Sequence, residues 1–216
     1  MRSVSSFEWM FLAIIFLYSF VPTFGGLFRI AELVGGSTMM PENPRALAHS
    51  PPIILHILSS FLFCLLGALQ FLPSIRRNYL GLHRMMGRVV AAAGCISALT
   101  GLWMTHFYAF PPELQGPLLY WVRVVLSLSM FGLIMWAIIA IRSCNIIAHR
   151  AAMLRAYAIG QGASTQAMLG IGWIVAVGTE PLGPLRDAMM VLAWCLNLLM
   201  AELLIIKILA PRTSPA

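Results

Sequence analysis

Residues 118–141, LLYWVRVVLSLSMFGLIMWAIIAI, form an unbroken apolar run that contains one charged residue, Arg123. A helix that crosses the hydrocarbon core of a membrane needs about 20 mostly apolar residues. This run is therefore long enough to cross a bilayer as one helix. Similar runs recur along the rest of the chain, and they predict an all-α protein built from membrane-spanning helices.

The composition agrees with a chain surrounded by lipid. Hydrophobic residues make up 60% and charged residues 10% of the 216 residues, against roughly 45–50% and about 25% in soluble domains. The net charge is +7, but the basic residues stand in short connectors between apolar runs, where membrane proteins keep positive charge. This distribution argues against a nucleic-acid partner and makes the lipid bilayer the expected partner.

Six apolar segments predict a single polytopic transmembrane domain over residues 1–216. Their approximate bounds are 9–34, 53–72, 82–108, 118–141, 148–177 and 188–209. Pro22 predicts a kink in the first segment. A cleaved signal peptide would also place an apolar run after an initial charge, but Glu8 and the lack of an A-x-A site favour an uncleaved first helix.

The distribution of lysine and arginine predicts the orientation. Ten lie on one predicted side: Arg2, Arg76, Arg77, Arg84, Arg88, Arg142, Arg150, Arg155, Lys207 and Arg212. Four lie on the other: Arg29, Arg45, Arg123 and Arg186. Because cytoplasmic loops are enriched in basic residues, both termini are predicted to be cytoplasmic, and the predicted location is the cell inner membrane. Arg123 is interpreted as an anchor that reaches toward the outer headgroups.

Two similar motifs begin helices on the predicted cytoplasmic side: HRMMGR at residues 83–88 and HRAAMLRAY at residues 149–157. Imidazoles are common axial ligands of haem iron, so His83 and His149 are predicted to hold a metal centre. Guanidinium groups pair with carboxylates and phosphates, so the accompanying arginines are predicted to neutralise an anionic group. These are Arg84, Arg88, Arg150 and Arg155. The alternative is anchoring to lipid headgroups, which basic residues at helix ends provide in any case.

A second pair of histidines, His56 and His106, lies toward the predicted outer face. Histidine pairs near opposite faces of a helical bundle are typical of membrane b-type cytochromes, where imidazoles fill both axial positions of haem b. However, His83 and His106 are about 34 Å apart along a helix at 1.5 Å per residue. One inner haem, or none, is therefore equally consistent with the spacing.

The sixth segment carries Asn197 and Glu202 inside an apolar run. Ionisable groups at membrane depth usually face the bundle interior, and Glu202 is expected to form a buried ion pair with Arg155 or Arg88. The fifth segment places polar side chains at mid-membrane within residues 160–167. They either line a cavity or bond to neighbouring helices.

Short motifs follow one another along the chain in the order H, GALQF, RR, LHRMMGR, AHRAAMLRAY and a closing N-x-x-x-x-E. This order resembles that of a bacterial membrane-protein family, domain of unknown function 2306. The resemblance covers roughly residues 49–205. It implies a helical membrane bundle and no particular activity. The positions that match its pattern are His56, Gln70, His83, Arg84, Gly87, Arg88, His149, Arg150, Met153, Arg155, Tyr157, Asn197 and Glu202.

Three functions follow as hypotheses. The leading one is a redox membrane protein that binds haem b or a quinone through the histidine and arginine sites. The second is a transporter of a small molecule or lipid, with a path along the polar fifth segment and Glu202. The third is an accessory subunit that packs against other subunits of a larger membrane complex.

Overall fold

The computed structural model describes residues 5–37, 41 and 43–209. Within those residues the chain forms ten helices and no strand. The helices are α1 Ser6–Tyr18, α2 Phe20–Leu33, α3 Pro44–Ala48, α4 Ser50–Gln70, α5 Pro73–Asn78, α6 Leu80–Phe107, α7 Pro117–Arg142, α8 Ile146–Gly160, α9 Gly162–Val177 and α10 Gly183–Leu209. Of the residues used in the sequence analysis, Arg2 and Arg212 lie outside the described part.

Among the described residues, four helices are each long and apolar enough to cross a membrane, namely α4, α6, α7 and α10. A fifth crossing results if α1 and α2, which are bent by 49° at their junction, count as one span. The all-α membrane bundle predicted from the sequence is therefore confirmed. The total of six spans, and the side of the membrane on which the termini lie, stay predictions.

Two of the predicted segments are broken helices. The first is bent by 49° at Ser19, between α1 and α2. Pro22 has no N–H to bond to the carbonyl of Tyr18, and its ring crowds that carbonyl, so the kink predicted from Pro22 is confirmed and falls on the turn before it. The predicted fifth segment is two helices of 15 and 16 residues that meet at Gln161.

The core lies between α4, α6, α7 and α8, where glycines let the helices approach closely. Phe63 of α4 is 1% exposed and Ile134 of α7 is fully buried. A Cβ added at Gly94 of α6 would lie 2.6 Å from both of these side chains, and one at Gly160 would lie 2.6 Å from Phe63. Small residues at such crossings are the usual device for packing helices in lipid, where no hydrophobic drive joins them.

Two carboxylates fix the ends of the bundle. At one end, Glu8 of α1 accepts a hydrogen bond of 2.7 Å from the backbone N–H of Ser74 in α5. At the other, Asp187 of α10 accepts bonds of 3.1 and 3.2 Å from the N–H groups of Gly116 and Leu119 at the start of α7. We call the first the HR end, because both HR motifs lie there, and the second the opposite end.

Candidate functional site

The structure brings the two HR motifs together at one end of the bundle. His83, one turn into α6, lies within electrostatic range of His149, at the start of α8. Arg76 of α5 lies within electrostatic range of His83 in the first motif and of Arg150 in the second. Burial, then the charges of Arg150 and Arg77, lower the pKa of Arg76. The HR end is therefore a concentrated positive region.

The two imidazoles have different hydrogen-bond states. Nδ1 of His149 lies 3.0 Å from the carbonyl oxygen of Ala137. A carbonyl only accepts, so Nδ1 carries the proton and Nε2 keeps its lone pair. Nδ1 of His83 is buried and has no hydrogen-bond partner among the described residues. By contrast, three of the predicted anion-binding side chains are exposed: Arg84, Arg88 and Arg150.

Glu202 pairs with Arg155, one of its two predicted partners. The guanidinium donates two bonds to the carboxylate, Nε to Oε1 at 2.5 Å and Nη2 to Oε2 at 2.8 Å. The expectation of a buried pair was wrong, since the Arg155 and Glu202 side chains are 35% and 44% exposed. Both residues lie near the HR end, where α8 begins and α10 ends, and there the charged groups can reach the membrane surface.

Near the middle of the bundle, the two helix breaks meet. Ser19, at the break between α1 and α2, donates a bond of 3.1 Å from Oγ to Oε1 of Gln161, at the break between α8 and α9. Gln161 in turn donates from Nε2 to the hydroxyl of Tyr157 at 2.8 Å. Tyr18, next to the first break, and Thr165, one helical turn after the second, share a hydrogen bond between their hydroxyls.

We call the side chains bonded around the two breaks the polar layer: Tyr18, Ser19, Tyr157, Gln161 and Thr165. Asn197 belongs to this polar layer and not to a charged site. Its Oδ1 accepts from the Thr165 hydroxyl at 2.7 Å and from the Tyr18 hydroxyl at 3.2 Å. Its Nδ2 donates to the carbonyl of Ala158 at 3.2 Å. The amide thus joins α1, α8, α9 and α10, which is the interhelical bonding that the sequence offered as one of two explanations for polar groups at mid-membrane.

A cavity of about 380 Å³ extends between this polar layer and the opposite end. Ser19, Gly160 and Ser164 line its inner part, and Arg45 and Arg123 line its outer part. Apolar side chains form much of the wall between them: Ile53, Ile57, Met104, Leu126, Met130 and Ile159. The volume falls in the range of small-molecule pockets, about 300–1,000 Å³. Gln166 and Ala163 of the polar fifth segment also line it, whereas Glu202 does not.

His56 lies on the cavity wall, and His106 does not. Nδ1 of His56 lies 3.0 Å from the carbonyl oxygen of Ser97, so it carries the proton and leaves Nε2 as an acceptor. The ring faces Gly101, where an added Cβ would be 3.3 Å from its Cε1. His106 is exposed and bonds to the hydroxyl of Tyr120 at 3.0 Å. The structure therefore does not bring the predicted outer histidine pair into one cavity.

Two arginines meet over one aromatic ring where the cavity approaches the opposite end. Cζ of Arg45, from α3, lies 4.7 Å from the centre of the Phe110 ring, and Cζ of Arg123, from α7, lies 5.3 Å from it. Nη1 of Arg123 also donates to Oε1 of Gln115 at 2.5 Å. We call Arg45, Phe110 and Arg123 the arginine mouth. The interpretation of Arg123 as a lipid-facing anchor is corrected, because its side chain turns inward to the cavity.

A family model described as a predicted membrane protein, DUF2306, matches residues 53–205 of the chain. The chain belongs to the DUF2306 family. This confirms the resemblance drawn from the sequence motifs. Neither a curated protein nor a solved structure matches the chain.

The DUF2306 region runs from the first turn of α4 into the last turns of α10. It contains both HR motifs, His56, the break at Gln161 and Arg123, whereas α1 to α3, with Ser19 and Arg45, precede it. One sequence signal could have identified Arg123: a single charge within an apolar span usually faces the protein interior. No comparable signal marks Arg45, because its position depends on how the loop before α4 folds back.

Proposed function

We propose that this member of the DUF2306 family binds a small amphipathic molecule in the cavity and moves it between the leaflets of a bacterial inner membrane. The observation that carries the proposal is the cavity itself. It joins a cationic mouth at the opposite end to the polar layer in which Ser19 and Gln161 meet. Its apolar wall suits an alkyl or isoprenoid chain, and its polar ends suit a head group.

The paired helix breaks support movement as well as binding. Transporter sites are commonly built where discontinuous helices meet near the membrane midplane, because the helix ends and backbone groups at a break can bind the substrate or a coupling ion. Here the breaks at Ser19 and Gln161 lie next to each other, and a hydrogen bond between these two side chains joins them. Since Glu202 lies outside the cavity lining, this path does not use it, unlike the path suggested by the sequence.

Cysteine labelling tests whether the cavity is open to water from the opposite end. In a chain whose native cysteines are replaced, Ser127→Cys places a thiol on the cavity wall. Leu128→Cys is the matched control, one residue along α7 and 55% exposed on the outer surface of the bundle. A thiol reacts as its thiolate, which forms in water and not in lipid. We expect a membrane-impermeant maleimide to modify Ser127→Cys roughly tenfold faster. Equal rates would refute a water-accessible cavity.

A second candidate function is haem binding at the HR end, and the state of the two imidazoles favours it. His149 keeps the lone pair on Nε2 because Nδ1 donates to a backbone carbonyl, which is how ligating histidines are usually oriented. His83 leaves Nδ1 without a partner. Among the described residues, no three His, Cys, Asp or Glu side chains come together as a metal site, but a haem requires only two axial imidazoles.

The absorption spectrum of protein expressed with added haem tests this candidate. We expect a Soret band that is lost in His83→Ala and in His149→Ala and retained in His106→Ala, whose imidazole lies at the opposite end. A wild-type spectrum without that band would refute haem binding. A quinone, the other redox ligand suggested by the sequence, is a neutral amphiphile and would be expected in the cavity. Protection of Ser127→Cys by an added ubiquinone analogue would indicate it.

A further inference from the structure

The arginine mouth combines two positive charges, and no aspartate or glutamate lines the cavity beside it among the residues that the structure describes. Each guanidinium carbon lies close to the centre of the Phe110 ring, so the two carbons are no more than about 10 Å apart. The face of an aromatic ring attracts a cation, but this attraction offsets only part of the repulsion between two cations held this close together.

The neighbouring charged groups do not complete the balance. Asp187 lies within electrostatic range of Arg123 and supplies one negative charge, while its oxygens accept the N–H groups at the start of α7. Arg186 lies within range of Arg123 as well and adds a further positive charge. The Nε atoms of Arg45 and Arg186 are buried and have no partner among the described residues. One donor at the mouth, Nε of Arg45, therefore has no acceptor among the described residues.

We infer that the head group bound in the cavity is an anion, a carboxylate or a phosphate, held between Arg45 and Arg123 while its chain lies along the apolar wall. This inference rests on the proposed function, because it names the substrate class of the same cavity. The geometry permits a bridge. A guanidinium paired in bidentate fashion with an oxyanion places the two central atoms roughly 4 Å apart, so one anion between two arginines fits a separation of about 8 Å.

Equilibrium binding to protein in phosphatidylcholine nanodiscs tests the inference, with empty nanodiscs as background. Three probes share one chain length and differ in the head group: dodecanoate, dodecyl phosphate and neutral dodecanol. We expect at least one of the two anions to bind about tenfold or more tightly than dodecanol, because a hydrogen-bonded charge pair contributes that much. The stronger of the two distinguishes a carboxylate from a phosphate substrate. Equal binding of all three would overturn the inference while leaving cavity binding intact.

Matched variants test whether the two arginines are responsible. Arg45→Gln and Arg123→Gln should each weaken binding of the preferred anion about tenfold and leave dodecanol binding unchanged, which also shows that the variant is folded. Arg186→Gln removes a nearby charge that does not line the cavity, and it should weaken anion binding much less. If all three variants weakened the anion equally, general surface potential and not the mouth would be responsible. If no probe bound at all, the proposed function itself would fail.

Discussion

Removal of the Asp187 carboxylate should destabilise the contact between α10 and the start of α7 at the opposite end of the bundle. Asp187 is 3% exposed, and its two oxygens accept the backbone N–H groups of Gly116 and Leu119. A hydrogen bond to a charged group contributes about 1.5–3 kcal/mol, and a carboxylate at a helix N-terminus gains up to about 2 kcal/mol from the helix dipole. Because the freed N–H groups regain some water, we expect Asp187→Ala to lower the free energy of unfolding by about 3 kcal/mol.

Denaturation by SDS in mixed micelles measures this change. Asp187→Asn keeps one oxygen acceptor and loses the charge, so its effect should be about half as large, near 1.5 kcal/mol. Glu180→Ala is the control, since Glu180 is an exposed carboxylate in the loop that precedes α10, and it should change stability by less than about 0.5 kcal/mol. If Asp187→Ala destabilised the protein no more than Glu180→Ala does, the assignment of Asp187 as the cap that joins α10 to α7 would be refuted.

Further substitutions test the packing, the polar layer and the ion pair. Gly94→Ala should destabilise the protein by about 1–3 kcal/mol, because the new Cβ would meet two core side chains at 2.6 Å. Gly132→Ala is the control: a Cβ there would have nothing within 4 Å, so the change should be neutral or stabilising by up to about 1 kcal/mol. The same SDS titration measures both variants. Gln161→Met should cost about 1–3 kcal/mol, because the Ser19 hydroxyl loses its acceptor, and unchanged stability would refute a role for this bond in joining the breaks. A double-mutant cycle on Arg155→Ala and Glu202→Ala should give a coupling of about 1 kcal/mol or less, as for exposed pairs; a coupling above about 3 kcal/mol would place the pair in lipid.

The sequence predicted the long helices well, because each needs only an uninterrupted apolar run. The predicted segment 118–141 matches α7 at Pro117–Arg142 to within one residue at each end. Pro22 predicted the bend that falls at Ser19, but nothing in the sequence predicted the break at Gln161. Glutamine does not prevent a helix in its own right, and this break is instead accompanied by a side-chain bond to a distant segment, at Ser19. Such a tertiary partner cannot be identified from local propensity.

The candidate site, too, could be predicted only in part. The HR motifs could be predicted to share one end of the bundle, because in a chain of consecutive spans every second connector lies on the same side. The cavity could not be predicted, because it depends on Arg45, which the short helix α3 places. This helix lies in residues 35–52, between the first two predicted segments. A loop of polar and proline residues carries no periodic pattern from which its fold can be inferred.

The four arginines predicted to lie outside the cytoplasm are the exceptions to the positive-inside rule, and the structure turns each of them toward the protein. Arg29 pairs with Glu32 at 2.8 Å, and their side chains are only 15% and 6% exposed. Arg45 and Arg123 lie over Phe110 on the cavity wall, and Nε of Arg186 is buried. At the HR end, in contrast, Arg84, Arg88 and Arg150 are exposed, as headgroup anchors would be. Since a basic residue outside the cytoplasm brings no benefit for orientation, the inward positions of Arg45 and Arg123 agree with the anionic head group inferred for the cavity.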